Sequence, residues 1–206
     1  MAPEAVRQKR RPQRRDEILA AAVVLFHERG YHATGMDEIG AAAGITGPGI
    51  YRHFRNKEQI LETLMVERGD AVVAEVDHIA ASDATAAEAL DQLARSFVAG
   101  IVANPSLSVV AMFERHTVGP ETRAWIERSE RRNLEVWVDT VLRVRPDLTE
   151  PEAHVVVHAA LTLGVSVCNY KSGLDEETLF GLLHPMVMTA VLGPAPVPAA
   201  RRRRRS

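Results

Sequence analysis

No run in this chain alternates apolar and polar side chains with the period of two that a half-buried strand requires. Apolar residues recur at helical spacing instead, and start and stop signals divide them into nine segments. That pattern confines the fold to an all-α architecture. Asp16 to Arg29 sets Ile18, Leu19, Ala22, Leu25 and Phe26 on one face, with Gly30 as the stop. Thr34-Gly35-Met36-Asp37 reads as a capping box, Asp37 taking the reciprocal position, and opens a short helix to Ala43. Thr46 caps a second short helix reaching about Phe54. Asn56 to Gln59 opens a long helix toward Ala80.

The same punctuation continues downstream. Thr85 and Glu88 box a helix ending near Ala103. Asn104-Pro105 breaks the chain, and Ser106 is expected to cap residues 107–118. Gly119-Pro120 precedes a long helix to Val144. Thr149, Pro151 and Glu152 start a helix expected to reach Lys171, and Asp175 caps the last, to about Leu192.

Charge separates along the chain. Residues 1–15 hold six basic side chains and one acidic, and Arg201 to Arg205 are all basic, whereas the formal net charge of the 206 residues is −2. A basic arm against an acidic body points to a polyanion partner at one end. No run supplies the roughly 20 apolar residues of a membrane span. The basic N-terminal run lacks the apolar stretch of a secretory signal. Cys168, the single cysteine, excludes an internal disulfide or a multi-thiolate metal site, and a cytoplasmic location is expected.

The two short helices joined by Ala43-Gly44-Ile45-Thr46 form a helix-turn-helix. Gly44 suits the left-handed turn, and Ile39 and Ile50 face inward with Leu25 and Phe26. Gly47-Pro48-Gly49 then falls in the first helical turn, where a proline's missing donor costs nothing. The glycines strip bulk from a helix end that must approach a groove closely. Direct readout is left to Thr46, the Pro48 ring, Arg52 and His53, so backbone and shape contacts should dominate. Arg14 and Arg15 are the residues of the basic run expected nearest the DNA.

Arg14 to Met65, with "LFHERGYHAT", "IGAAAGI" and "IYRHFRNKE" at their mutual spacing, resembles the DNA-binding domain of TetR-family transcriptional repressors. The resemblance implies that Tyr51 and Lys57 hold operator phosphates and that Thr34 touches the backbone. This chain departs from the family pattern at Gly47-Pro48, where a hydroxyl residue and then a polar one are usual. The resemblance further implies a C-terminal helical domain that dimerises and binds a small effector, with no cofactor and no metal. "NLEVWVDTVL" and "GVSVCNYKSGLDEETL" are similar to actinobacterial members that sense acyl-CoA or other lipid-derived ligands.

The expected organisation is therefore a nine-helix TetR-like fold. Residues 1–15 form a basic disordered arm and 16–56 the DNA-binding domain. Residues 57–192 bind ligand and dimerise, and 193–206 form a Pro/Arg-rich disordered tail. The last two helices are apolar over more than one stripe, which suits burial inside the subunit and against a second copy. Effector contacts are expected from Phe97, Met112, Phe113, Arg115, His116, Trp125, Asn133, Trp137, His158 and Leu161. Partners are double-stranded operator DNA, a small hydrophobic effector and a second copy, with no membrane. His154 and His158 lie one helical turn apart but lack an HExxH pattern, and Ser166 and Cys168 lack a base, so an enzyme is not expected. A ligand-insensitive architectural binder, or an activator using the same contacts, is the alternative.

Overall fold

The computed structural model describes residues 4–170 and 172–193. Nine α-helices and one 3-10 turn, with no strand, make up these described residues. They are α1 (Glu4–Arg29), α2 (Met36–Ala42), α3 (Gly47–Ile50), α4 (Lys57–Ala80), α5 (Ala86–Ala103), α6 (Pro105–Phe113), α7 (Pro120–Val144), α8 (Glu150–Ser166), the turn Val167–Asn169, and α9 (Glu176–Leu192).

Two apolar cores organise them. One joins Ile18 and Phe26 of α1, Ile39 of α2, Ile50 of α3, Phe54, and Ile60 and Leu61 of α4, and it also takes in Val110 and Val118. The other joins Leu90 and Leu93 of α5, Trp137 and Val141 of α7, Val157 of α8, and Leu183 and Val187 of α9. Helix α4 enters both, through Leu61 at one end and through Val76 and Ile79 at the other. It is the rod between the helix-turn-helix and the body.

Several local expectations hold. The Thr85 hydroxyl accepts from the Glu88 N–H at 3.3 Å while Glu88 accepts from the Thr85 N–H at 2.8 Å. Asn56 caps α4 by accepting from the Gln59 N–H at 2.9 Å, and Asp175 caps α9 through the Thr178 N–H at 2.8 Å.

Others change. Helix α1 starts at Glu4, so residues 4–15 are helical where a disordered arm was expected; Glu, Ala, Arg, Gln and Lys there all favour helix. Met1 to Pro3, and the tail beyond Gly193 with Arg201 to Arg205, lie outside the described residues. The cap of α2 is Gly35, not Thr34, and Glu38 rather than Asp37 closes it by accepting from the Gly35 N–H at 2.8 Å. Helix α3 is one turn long and stops at Ile50. Helix α6 starts at Pro105 because that residue fits the first helical position, so Ser106 is not its cap. The Ser106 hydroxyl instead meets His27 Nδ1 at 2.8 Å and ties α6 to α1. Helix α8 ends at Ser166, whose hydroxyl donates to the Leu163 carbonyl at 2.7 Å, before the chain tightens into the 3-10 turn.

Residues 150–169 do form a helical run long and apolar enough by composition to cross a membrane, contrary to the expectation that none exists. In the fold its Ala153, Val157, Ala160 and Gly164 face the core while Val155 is 69% exposed.

Candidate DNA-binding unit and effector cavity

The helix-turn-helix is built by short-range geometry. Gly44 takes φ +66°, the left-handed conformation the turn requires. The Ile45 N–H donates to the Gly40 carbonyl at 2.8 Å and closes the turn. A Cβ at position 49 would lie 2.5 Å from Ile45 Cγ2, so Gly49 is required by packing beneath α3. Ile39 and Ile50 are fully buried and lock α2 to α3. Thr46 occupies the cap position of α3 but its side chain makes no capping bond.

The unit turns Thr46, Pro48, Tyr51 and Arg52 outward, Tyr51 being 53% exposed; His53 is half-buried. Arg14 is paired with Glu17 at 2.6 Å on the exposed side of α1. Arg15 is paired with Glu67 of α4 and lies 5.9 Å from the Phe54 ring centroid, so it braces α1 against α4.

Two residues expected to touch DNA through their side chains point inward. Thr34 is 2% exposed, and its hydroxyl donates to the Gly30 carbonyl at 2.9 Å and lies 3.3 Å from the Leu25 carbonyl. Lys57 Nζ donates to the carbonyls of Tyr31, His32 and Thr34 at 2.8, 3.1 and 3.0 Å. An ammonium has three N–H groups, and all three are engaged. Both side chains secure the loop between α1 and α2. Burial first, then Glu58, Glu114 and Glu62, raises the Tyr31 phenol above its ordinary value of 10.0, so it stays protonated.

A cavity of about 290 Å³ opens among α4, α6, α7 and α8. Of the expected effector contacts it is lined by Met112, Arg115, Trp125, Asn133, His158 and Leu161. The other four lie elsewhere. Trp137 is 1% exposed inside the body core, with the Phe97 ring edge-on at 6.1 Å, and Phe97 packs against Gly164. Phe113 is 61% exposed, outside the cavity wall. His116 is outside it too, its carbonyl accepting from Arg123 at 2.8 Å.

Sequence reasoning missed the α4 wall, which is Met65, Arg68, Gly69 and Val72. Their positions fit helical spacing on the face of α4 opposite its solvent side, and that periodicity was the available signal. The edge of the Trp125 ring meets Gly69, where a Cβ would sit 2.3 Å from Trp125 Cη2. At the polar end, Arg115 pairs with Glu130 at 3.1 Å.

One contact ties α4 to the start of α7. Glu62 Oε1, on α4, accepts from the Gly119 N–H at 3.2 Å and from the Thr122 hydroxyl at 3.1 Å. A carboxylate of α4 thus closes the N-terminus of α7, where a negative charge is stabilised.

Among the described residues an N-terminal helix-turn-helix is mounted on an all-helical body, an architecture that suits a DNA-binding transcriptional regulator. Comparison with known proteins gives the family. Residues 18–64 match the model of bacterial regulatory proteins of the tetR family. The transcriptional repressor KstR2 of Mycolicibacterium smegmatis is 30% identical over 183 residues, covering 84% of this chain and 86% of that protein. The transcriptional activator FasR of the same organism is 41% identical over only 66 residues, 32% of this chain and 30% of that protein. The structure of AibR in complex with isovaleryl coenzyme A and operator DNA superposes with a TM-score of 0.68 at 24% identity, covering 84% of this chain and 97% of that one. The chain belongs to the TetR family of transcriptional regulators.

Proposed function

We propose that this regulator is a ligand-responsive repressor that binds a palindromic operator as a homodimer and is released by a small hydrophobic effector. The observation that carries the reading is the cavity walled by α4, because the same helix packs into the core of the helix-turn-helix. A ligand that shifts α4 changes the setting of α3, and with it the spacing of two recognition helices across a dimer.

DNA contact is assigned to Thr46, Gly47, Pro48, Gly49, Tyr51, Arg52 and His53, with Arg14 and Arg15 approaching the backbone. Thr34 and Lys57 act by holding the loop beneath them. Dimerisation through α8 and α9 is supported by their exposed apolar side chains, Val155 at 69%, Leu182 at 52% and Met186 at 49%. The likeness to KstR2 supports repression, and the AibR complex supports an acyl-CoA or related lipid-derived effector.

The test is a mobility shift on DNA flanking the regulator's own coding sequence, across a salt series, with acyl-CoAs and hydrophobic metabolites. A specific complex dissolved by one compound supports the reading. Binding that is non-specific, salt-dominated and indifferent to every compound would favour an architectural DNA binder instead.

A further inference from the structure

Arg68 is a cavity-lining charge that the proposed function does not use. It lies on α4 between apolar Met65 and Val72 and shares the cavity lining with Trp125 and Met112. Among the described residues it forms no ion pair and no hydrogen bond. The nearest acid on the cavity wall, Glu130, is held by Arg115 at 3.1 Å instead. Burial pushes the Arg68 guanidinium below its ordinary range, against the opposing pull of Cys168 and Glu130. An arginine keeps its proton in a protein, so a half-buried guanidinium on the cavity wall with no acid paired to it can take an anion that enters the cavity.

We propose that Arg68 is the anion anchor of the effector cavity, and that the effector is an acyl chain carrying one negatively charged head group. This rests on the reading of the cavity as an effector site. The guanidinium fork suits a carboxylate or a phosphate oxygen pair. The apolar wall of Met65, Val72, Met112 and Trp125 takes the chain. Two sources supply such an anion: the carboxylate of a free acid, or a phosphate of a coenzyme A thioester. The cavity volume, at the low end of the roughly 300–1,000 Å³ usual for ligand pockets, favours the compact free acid.

The experiment titrates the full chain with octanoate, methyl octanoate and octanoyl-CoA, and with shorter, longer and branched homologues of each. Binding is read by Trp125 fluorescence and by calorimetry. Arg68→Met and Arg68→Lys are compared after circular dichroism shows that both are folded. The expected result is that the acid binds more tightly than its ester. Arg68→Met then weakens the acid roughly 10- to 100-fold, the range for a hydrogen bond to a charged group, and leaves the ester unchanged. Arg68→Lys restores part of the loss. Arg68-dependent binding of the thioester but not the acid would also support the anchor and would assign the anion to a phosphate. Equal binding of acid and ester, unchanged in Arg68→Met, overturns the anchor while leaving the effector site standing. Failure of every acid, ester and thioester to bind overturns the anchor and the effector reading together.

Discussion

Lys57 Nζ lies 2.8 Å from the Tyr31 carbonyl oxygen and 4.6 Å from the centroid of the Tyr31 ring. The first residue of α4 is thereby bound to the loop that sets the angle between α1 and α2. Lys57→Met keeps much of the side-chain volume but removes three donors from carbonyls that face it. Hydrogen bonds to charged groups contribute about 1.5–3 kcal/mol each and do not add, so a loss of about 2–3 kcal/mol is expected. Urea denaturation reads this directly. An unchanged midpoint would mean that Lys57 is free to serve the operator instead.

Tyr51 is the opposite case. It is half-exposed at the end of α3, and its ring is not part of the buried core. Tyr51→Ala is expected to change stability by no more than about 0.5 kcal/mol, as surface substitutions usually do. Operator affinity should fall by at least about tenfold while the dimer persists in sedimentation. Wild-type affinity in Tyr51→Ala would displace α3 from the groove.

The sequence was most legible where structure is local. Thr85 with Glu88, Asn56 before α4, Asp175 before α9, and Gly44 in its turn are each decided within four residues, so composition and spacing reveal them. Lys57 was legible as a basic residue opening a helix, but its partners are backbone carbonyls of residues 31–34, and a carbonyl leaves no mark in sequence. The same limit applies to the cavity. Trp125 and Trp137 share one helix and the same apolar character, yet one lines the cavity and the other fills the core. Helical periodicity marks a buried face without saying whether a ligand or a neighbouring helix covers it. Arg68 stood in plain view on α4, but only the fold shows that no acid pairs with it.

Glu62 supplies a test of how the cavity reaches the DNA-binding unit. Its carboxylate closes the start of α7 at Gly119 and Thr122, and α7 carries Trp125. Glu62→Gln keeps the shape and removes the charge, which costs about 0.3–1 kcal/mol at a helix N-terminus. Effector binding, followed by Trp125 fluorescence, should be nearly unchanged. The effector concentration that releases the operator should rise severalfold, because movement of α7 is less firmly passed to α4. If binding and release shift together, the coupling runs by another route.

Acid should loosen the caps of the body helices. The Thr85 hydroxyl and N–H hold the Glu88 carboxyl below its ordinary 4.5, and Thr149 does the same for Glu152. The Thr178 N–H holds Asp175 below its ordinary 3.8. Folded values depressed below unfolded ones give stability that is present above the unfolded value and lost as pH falls through the folded one. The melting temperature should therefore be flat from neutral pH to about 5 and fall below it. Glu152→Gln should start lower and fall less steeply over the same acid range. A parallel decline in the variant would show that other carboxylates govern it.

Gly69 tests the shape of the cavity independently of its charge. A Cβ there would lie 2.3 Å from Trp125 Cη2 and 2.4 Å from Cζ3, closer than real contacts allow, so Gly69→Ala must displace the indole. Two effects on stability oppose one another. Alanine favours the helix by about 1 kcal/mol over glycine, and overpacking costs about 1–3 kcal/mol. The net change should be a loss of no more than about 2 kcal/mol, and the protein should remain folded. Function is the sharper readout, because the displaced ring must occupy space that an acyl chain would take. Gly69→Ala should shift the Trp125 emission and weaken effector binding by about tenfold or more, while operator affinity without effector stays close to wild type. Because the lesion is steric, the acid and its ester should lose affinity in equal proportion, unlike the selective loss expected for Arg68→Met. Undiminished binding of every effector in Gly69→Ala would mean that the ligand does not lie against this face of α4.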